Sequence, residues 1–504
     1  MKKVLFFGTC LISCIHAFAG GLLTNTNQSA AFLRNPSRDA VIATEAVYSN
    51  PAGTAFLDNG FHLTLNIQNA KQRRQVVSTF GPFAYGLDNN GKTGKRFKGD
   101  ADAPIIPSFQ AVYKTGYWSF SSSFAISGGG GKCTFENGLG SFEAIASLLP
   151  LLGQSIGITG YNMDSYMRGR QCYYGFQLGA ARQLNKNLSV FLGARGIYAS
   201  TNYYGYIRNI EIEDAQGTSL ATQRFQSLHD QAVAAAAIYR DNGNIPMANM
   251  YEAQAAQMRT MAYATQDVTL NCDQTGFGVT PIIGIDWKIN DQWNLAAKYE
   301  FKTRIRLKNE AANSASAAGL SALNQFKDGK KIAEDIPAML TLGVQYTPVK
   351  NVRLMAGHHY FYDKQASKYN HTEKKLSRGT CEFNAGAEVD VNKRLTLSAG
   401  WQNTNYGLTD EYMQDISFVT NSNSVGIGLN YRFSDRLSID LSYFQTFYNT
   451  YDTHTDDFNG VSSMITSLVG AETATQLVSS GVLKGSNHYW RTNRVIGIGV
   501  TLDF

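Results

Sequence analysis

The stretch "VGIGLNYRFSDR", residues 425 to 436, alternates between two kinds of side chain. Apolar residues occupy every second position from Val425 to Phe433, and small or polar residues stand between them. A period of two is typical of a β-strand with one apolar and one polar face. The residues "SDR", 434 to 436, are turn chemistry, so the stretch predicts a strand that leads directly into a tight connection.

The same alternation recurs at Leu188 to Ala194, Trp293 to Phe301 and Leu395 to Trp401. Transmembrane β-strands need about 9 to 11 residues and carry aromatic residues at both membrane interfaces. A soluble sandwich alternates too, but it rarely has so many long strands in succession. After residue 19 no run of about 18 apolar residues could form a membrane helix. The pattern therefore predicts an all-β membrane protein.

The connections between these segments fall into two classes. Six are short and polar: "KTG" (114–116), "LNKN" (184–187), "INDQ" (289–292), "PVKN" (348–351), "VNKR" (391–394) and "SDR". Seven are longer and are centred roughly on residues 90, 150, 240, 320, 371, 414 and 470. Short periplasmic turns and long extracellular loops are typical of outer-membrane barrels. Residues 61–504 are therefore predicted to form a fourteen-stranded antiparallel transmembrane β-barrel with partly helical extracellular loops.

Composition excludes several function classes. The 504 residues include 47 Gly, 27 Tyr and 28 Phe but only 10 Pro, and the mean hydropathy is −0.23. No G-x-S-x-G or H-E-x-x-H is present, and "GGGGKC" (128–133) lacks the spacing of a P-loop. We therefore predict no enzyme, no cofactor and no metal site.

Residues 1–19 have the organisation of a bacterial secretory signal peptide, with Lys2 and Lys3 ahead of an apolar stretch. The residues "AFAG" favour cleavage after Ala19. The alternative is that "LISC" is a lipoprotein box, which would lipidate Cys14. Removal of the signal lowers the formal charge from +6 to +4, because two lysines and no acids are lost. That charge is too small to favour a nucleic-acid partner.

Residues 20–60 precede the first strand and have no alternation of their own. A barrel of this size encloses a lumen that must be filled or serve as a channel, so this segment is predicted to fold inward as a plug. It contains "AVYSNPAGTAF", residues 46 to 56, in which Asn50, Pro51 and Gly53 favour a turn. The alternative is an ordinary surface loop. The chain ends in "VIGIGVTLDF", and an alternating last strand with a terminal Phe504 resembles the signal of the bacterial barrel-assembly machinery.

Taken together, these features resemble the outer-membrane family of long-chain fatty acid transporters, which includes transporters of aromatic hydrocarbons. Residues 50–52 match the Asn-Pro-Ala hatch motif of that family, and residues 27–52 are similar to its plug. The resemblance implies that extracellular loops capture a hydrophobic ligand, that the hatch gates its passage, and that it exits sideways through a kink in the third strand. A general porin and a surface adhesin remain alternatives. The implied partners are the ligand, lipid and lipopolysaccharide, and the barrel-assembly machinery, with the protein a monomer in the outer membrane of a Gram-negative bacterium.

The resemblance suggests where the working parts lie. Ser121, Ser122 and Ser123 interrupt the apolar row of strand three and are candidates for the lateral opening; a small-residue patch against the plug is the alternative. The third long loop contains two helix-forming stretches broken near Pro246. Its candidates for an entry groove, unless they only pack together, are Ile238, Tyr239, Met247, Met250, Tyr251 and Met258.

A ligand carboxylate would favour a cation in the lumen. The candidates, which are all predicted to face inward or to lie in the plug, are Lys298, Lys302, Arg304, Arg306, Arg34 and Arg38. A salt-bridged, solvated wall is the alternative role for these charges. Cys133 and Cys172 flank the second long loop and are candidates for a disulfide, although free thiols and other pairings stay open.

Overall fold

The computed structural model describes residues 22–316 and 321–504. The predicted signal peptide, and with it Cys14, lies outside the described residues. Within these two ranges, no helix combines the length and the apolar character needed to cross a membrane.

One antiparallel sheet of eighteen strands closes on itself. Four of these strands are short additions at Gly217–Leu220, Arg306–Ala311, Lys331–Ala333 and Tyr451–Thr455. The other fourteen form the wall. They are β1 (Gly60–Phe80), β2 (Gly94–Thr115), β3 (Trp118–Phe135), β4 (Gly160–Asn185), β5 (Leu188–Asp214), β6 (Val268–Lys288), β7 (Trp293–Glu300), β8 (Met339–Val349), β9 (Val352–Phe361), β10 (Thr380–Asp390), β11 (Leu395–Asn405), β12 (Ser422–Ser434), β13 (Leu437–Tyr448) and β14 (Gly485–Asp503).

The predicted fourteen-stranded barrel is confirmed, with the six tight turns and seven long loops in the expected places. β14 pairs with β1 from His62 opposite Asp503 to Phe80 opposite Gly485, and it also pairs with β13. Closure removes the free sheet edges that an open β-protein would present.

Outward-facing side chains form an apolar band around the wall. Leu65, Ile67, Leu192, Ile427 and Ile498 are each between 47% and 69% exposed. Apolar surface of this extent is typical of a lipid-facing barrel wall. β4 and β5 are 26 and 27 residues long, which is more than twice what a bilayer requires, so the wall extends well beyond the band on the loop side.

The long loops contain five helices and close over the barrel. The helices are α2 (Gly140–Leu152), α3 (Ala221–Asp241), α4 (Ile245–Ala264), α5 (Val461–Val469) and α6 (Ala471–Ser479), and α1 (Ala30–Arg34) precedes the wall. Beneath the loops lies the largest apolar cluster among the described residues, here called the loop core, which includes Phe135, Phe142, Phe225, Phe326 and Phe458. The carboxylate of Asp415 accepts a hydrogen bond from the Ser141 backbone N–H at 2.7 Å and joins two loops, and burial raises the pKa of Asp415.

The wall closes at a glycine that other residues could not replace without strain. Gly60 has φ of 145°, and a Cβ there would lie 2.2 Å from the carbonyl oxygen of Phe504. Phe504 pairs with Phe61 through two backbone hydrogen bonds, of 2.8 and 3.2 Å.

We predict that Gly60→Ala lowers the free energy of unfolding by roughly 2 to 3 kcal/mol, because it adds a clash to an unfavourable φ. Gly91→Ala is the matched control, since Gly91 also has positive φ but no atom lies within 4 Å of the place that a Cβ would take. Its cost should stay near 1 kcal/mol. Urea unfolding of the refolded proteins measures both values, and equal costs would contradict the role of the closing contact.

Candidate functional site

Residues 22–59, here called the N-terminal segment, are mostly buried although many are polar. Asn25, Asn27, Gln28, Arg34 and Asn50 are each at most 7% exposed. The segment contacts the inner faces of β2, β3, β6, β10 and β13, which lie around the barrel. A buried polar segment needs partners, and the inward-facing strand residues supply them.

Three arginines converge on one carboxylate in the lumen. Glu388 on β10 accepts from Arg34 at 2.5 Å, from Arg38 at 2.6 Å and from Arg353 at 3.2 Å. Arg34 also contacts Asp440 on β13 at 2.8 Å. The predicted ligand candidates Arg34 and Arg38 are therefore already neutralised, and they attach the N-terminal segment to the wall.

A second ionic cluster lies at Tyr48. The Lys298 ammonium donates to the Tyr48 carbonyl at 2.6 Å and to Glu300 at 2.8 Å. Arg195 on β5 contacts Glu300 at 2.6 Å. Both cations also stack against the Tyr48 ring, at 4.2 Å for Lys298 and 4.9 Å for Arg195. Lys298 therefore faces the lumen as predicted, but it holds the segment and has an acidic partner.

The prediction that Lys302, Arg304 and Arg306 share the inward face is wrong. β7 ends at Glu300, which pairs with Ile282, and pairing with β6 resumes at Lys308 opposite Thr275. One strand thus has an extra residue, which turns the alternation over. Thr303, Ile305 and Leu307 are buried instead, and Arg304 and Arg306 are exposed. Lys302 is half-buried, donates to the Gln365 carbonyl at 3.0 Å and lies 3.8 Å from the Asp335 carboxylate.

The Asn50-Pro51-Ala52 motif begins a 3₁₀ turn, Pro51–Phe56, at the periplasmic end of the barrel. The Asn50 side chain donates to Asp286 on β6 and to the Val41 carbonyl, and its oxygen accepts from the Gly53 N–H at 3.2 Å. The Ala52 carbonyl accepts from Ser189 on β5 at 2.7 Å. Ala52 is fully buried. The motif is therefore a fixed turn against the wall, with a hydroxyl contact from Thr54 to Ser119 on β3.

The wall is interrupted between β2 and β3, but not at the predicted serines. Ser121, Ser122 and Ser123 pair regularly with Val112, Ala111 and Gln110. Pairing stops beyond Phe109 opposite Phe124 and resumes at Asp102 opposite Lys132. The interruption thus spans 103–108 on β2 and 125–131 on β3.

Local sequence explains this interruption. Pro104 and Pro107 on β2 have no N–H to donate to a neighbouring strand. Opposite them, Gly129 and Gly130 have φ of 65° and 120°, and the β3–β4 register shifts twice in this stretch. Prolines opposite a run of glycines were a signal in the sequence that could have located the interruption.

The N-terminal segment covers the interruption from inside. The Asn25 amide donates to the carbonyls of Ile126 at 3.1 Å and Gly129 at 2.8 Å, and Thr24 forms an isolated bridge with Gly128. The Asn25 backbone N–H donates to Ser127 at 2.9 Å. The cavity left between the segment and the strands has a volume of only about 10 Å³. The N-terminal segment therefore fills the space behind the interruption.

Two buried arginines that the sequence analysis missed lie higher in the lumen. Arg74 on β1 and Arg491 on β14 are directly paired across the sheet and are at most 2% exposed. Arg74 Nε donates to Gln72 at 2.8 Å, whereas its two Nη atoms have no hydrogen-bond partner in the described structure. Arg491 contacts the Phe418 carbonyl at 3.4 Å and the Tyr448 ring at 4.3 Å. No carboxylate in the described ranges lies within ion-pair distance of Arg74.

The predicted entry-groove residues do not form one groove. α3 and α4 make a hairpin in which Tyr239 stacks on Tyr251 at 5.4 Å. Met258 is buried in the loop core, whereas Ile238 and Met250 are 60% and 50% exposed. Met247 is half-buried near the hairpin tip.

The predicted disulfide is not formed, and all four described cysteines are free thiols. Cys133 pairs with Gly169 and Cys172 pairs with Gly129, so the two are out of register. Cys133 shares the inner face with Phe135, whereas Cys172 shares the outer face with Arg170. Side chains on opposite faces of a sheet cannot be bridged without backbone movement. The bulges in β3 cause this difference from the predicted arrangement.

Comparison with solved structures identifies the architecture. A crystal structure of a Pseudomonas aeruginosa FadL homologue matches 96% of this chain and 100% of its own, with 14% identity and a TM-score of 0.58. The chain has the FadL-type barrel fold. The P. putida toluene transporter TodX matches 92% of this chain and 94% of its own, with 13% identity and a TM-score of 0.51. A TodX mutant described as a monoaromatic hydrocarbon channel gives 14% identity and a TM-score of 0.55, over 94% of this chain and 99% of its own. No family model and no curated protein matches the sequence.

We predict that Glu388→Gln loosens the N-terminal segment, because it leaves Arg34 and Arg38 buried beside a neutral group. Removing one partner of a buried ion pair costs about 3 to 5 kcal/mol. Planar-bilayer recordings should show raised ion conductance, and limited proteolysis should cut the segment faster. Asp390→Asn is the matched control, since Asp390 bonds to Arg353 and Thr396 and not to the segment. Unchanged conductance in Glu388→Gln would argue against this attachment.

Proposed function

We propose that the protein carries a hydrophobic small molecule with an anionic head, such as a long-chain fatty acid, passively across the outer membrane. The observation that carries the proposal is the interrupted β2–β3 ladder in the lipid-facing part of the wall. An opening there gives a lumenal ligand a sideways route into the bilayer. Ile105, which is 68% exposed, lies on the lipid side of that route.

The lumen next to the interruption has a positively charged end and an apolar end, which match the head and the tail of an amphiphilic ligand. Arg74, which has no carboxylate partner among the described residues, and the adjacent Arg491 provide positive charge at one end. Below them lies an apolar cluster made of Phe32, Leu33, Ala70, Ala103, Ile106, Phe444 and Val495, with Ile126 packed against it. Ala103, Ile106 and Ile126 border the interruption itself. A carboxylate held by the arginines therefore directs its hydrocarbon chain toward the gap.

Transfer along this route needs no energy source. Each CH₂ group gains about 0.8 kcal/mol when it leaves water for an apolar environment. A hydrocarbon chain that moves from the apolar cluster into the bilayer stays in such an environment throughout. Passage through a watery pore would instead cost that amount for each group exposed.

The N-terminal segment is the proposed gate. Its Asn25 amide closes the interruption. Its ion pairs with Glu388 and the hydrogen bond from Lys298 to the Tyr48 carbonyl fix its position. The motif at Asn50 anchors the far end of the segment at the periplasmic mouth. Ligand passage requires a shift of this segment, since the cavity at the interruption is too small for any ligand.

Two further observations support this function over a general porin or an adhesin. A lumen occupied by a buried, salt-bridged segment leaves little room for an open aqueous pore. The structural neighbours are named as a FadL homologue, a toluene transporter and a monoaromatic hydrocarbon channel. Capture by the loops would begin at the loop core, and residues 1–19 would be removed as the signal peptide, leaving 20–60 as the plug and 61–504 as the barrel.

We predict that Arg74→Gln combined with Arg491→Gln weakens binding of a long-chain fatty acid by roughly 10- to 100-fold, since charge-assisted hydrogen bonds are each worth about 1.5 to 3 kcal/mol. Binding of neutral toluene should not change. Titration of the purified protein with each radiolabelled ligand measures both affinities. Arg73→Gln is the control, because Arg73 is adjacent on β1 but faces outward. Equal weakening for both ligands would contradict a head-group role.

We also predict that Asn50→Ala combined with Pro51→Ala lowers fatty acid uptake by cells several-fold. The turn loses its bond to Asp286 and its fixed φ, whereas the strands keep their own ladders. Heat-modifiable gel migration and membrane insertion should stay normal.

The matched control is Pro348→Ala combined with Asn351→Ala, at the β8–β9 turn on the same periplasmic end of the barrel. That pair should leave uptake unchanged. Undiminished uptake in the Asn50 and Pro51 variant would mean that the motif is only a connecting loop.

A further inference from the structure

The outer surface of β14, β1, β2, β3 and β4 carries a row of charges in direct register. Arg494 pairs with Lys71, Lys71 with Asp102, Asp102 with Lys132, and Lys132 with Arg170. All five side chains are exposed. The row is here called the cationic rim, and it contains four cations and one acid.

Two cross-strand pairs in the rim bring like charges together. Lys71 lies directly opposite Arg494, and Lys132 lies directly opposite Arg170. Like charges directly opposite each other destabilise a sheet. In the described residues no carboxylate lies within ion-pair distance of these four cations. An anion that bridges each pair would remove the repulsion.

Cations also occupy the next row toward the loops. Arg73 contacts Asp100 at 3.1 Å, and Arg168 on β4 is half-buried against the Tyr204 ring at 5.3 Å. A shallow groove of about 520 Å³ runs between the two rows across β14, β1, β2 and β3. The next two strands carry no cation at this level. The residues that continue the row are Asn202 on β5, which is neutral, and Asp273 on β6, which is acidic. The positive surface is thus confined to one sector.

The rim lies where the lipid-facing band ends. Ile496 is the next outward residue below Arg494, and Ile67 follows Asn69 below Lys71, both more than half exposed. Toward the loops the next outward residues on β1 and β2 are charged, namely Arg73 and Asp100. Groups at this boundary meet the head groups of the outer leaflet.

We propose that the cationic rim binds the phosphate groups of the glycolipid that forms the outer leaflet. A phosphate presents up to about two negative charges and three acceptor oxygens, which matches a Lys–Arg pair. Arg494 with Lys71 takes one phosphate, and Arg170 with Lys132 takes a second. The repeat of the same pair on either side of Asp102 suits a glycolipid with two phosphates or two neighbouring molecules.

The rim stands directly above the interrupted stretch of β2 and β3. Asp102 and Lys132 are the first paired residues on the loop side of the interruption. A glycolipid held there would lie beside the proposed exit and cover it from the outside. This inference concerns the lipid contact alone and does not depend on which ligand the lumen carries.

The test is binding of purified rough lipopolysaccharide to the full-length protein in detergent, followed by native mass spectrometry. Replacing Lys71, Lys132, Arg170 and Arg494 by Gln should weaken binding at least about tenfold, since each cation near an anionic surface contributes separately. The matched control replaces four cations of the periplasmic turns, Lys186, Lys350, Lys393 and Arg436, and should keep wild-type affinity. Heat-modifiable migration verifies that both variants are folded.

Two further arms identify the ligand. Enzymatic removal of the phosphates from lipopolysaccharide should weaken its binding to the wild-type protein. The loss should be at least as large as the loss that intact lipopolysaccharide shows with the rim variant. Millimolar inorganic phosphate should fail to displace the intact glycolipid, because it lacks the acyl chains that pack on the apolar band. Equal binding by the two charge variants, unchanged binding after dephosphorylation, or displacement by free phosphate would each overturn the proposal.

Discussion

Backbone hydrogen bonding in lipid is the constraint on which the rest of this structure depends. An N–H or C=O group left unpaired in the bilayer costs several kcal/mol, so a spanning sheet must close. The ladder between β14 and β1 meets that demand along the whole length of β1. Between β2 and β3 the ladder is interrupted, and Pro104 and Pro107 have no N–H to donate there. There the N-terminal segment provides the missing partners, because Asn25 donates to the carbonyls of Ile126 and Gly129. The wall can lack part of its ladder only while the lumen supplies these bonds.

This dependence couples the proposed gate, the N-terminal segment, to the wall. If the N-terminal segment moves, the carbonyls of β3 lose Asn25 and must be satisfied by water or by other groups. The ionic ties of the segment set how readily it moves. Buried ion pairs contribute little net stability, since desolvation offsets their attraction, but breaking one partner is costly. Glu388, with three arginines around it, therefore fixes where the segment rests more than it stabilises the barrel.

The sequence was sufficient to predict the barrel, but it was not sufficient to predict which side chains point into the lumen. Alternation and turn chemistry are local, so they predicted fourteen strands, and the turns at 289–292 and 391–394 fall where expected. The face of the sheet on which a side chain lies depends on the number of residues that precede it in the strand, and a single bulge changes that number. One extra residue after Glu300 turned Lys302, Arg304 and Arg306 away from the lumen. The bulges in β3 likewise separated Cys133 from Cys172 and moved the interruption away from Ser121. Arg74 was missed because its partner across the sheet, Arg491, is more than four hundred residues away in the chain.

The order of the groups along β1 is consistent with the proposed sideways exit of an amphiphile. Lys71 marks the boundary of the lipid-facing band on the outside, and Arg74 lies three residues further toward the loops on the inside. At about 3.3 Å per residue, the two positions lie roughly 10 Å apart along the strand. The apolar cluster at Ala70 and the interruption both lie below them. A molecule bound with its carboxylate at Arg74 therefore already has the orientation and nearly the depth of the lipids beyond the wall. In the proposed function the hydrocarbon chain would enter the interruption first and the head group would follow, so the molecule would not need to turn over on its way into the bilayer.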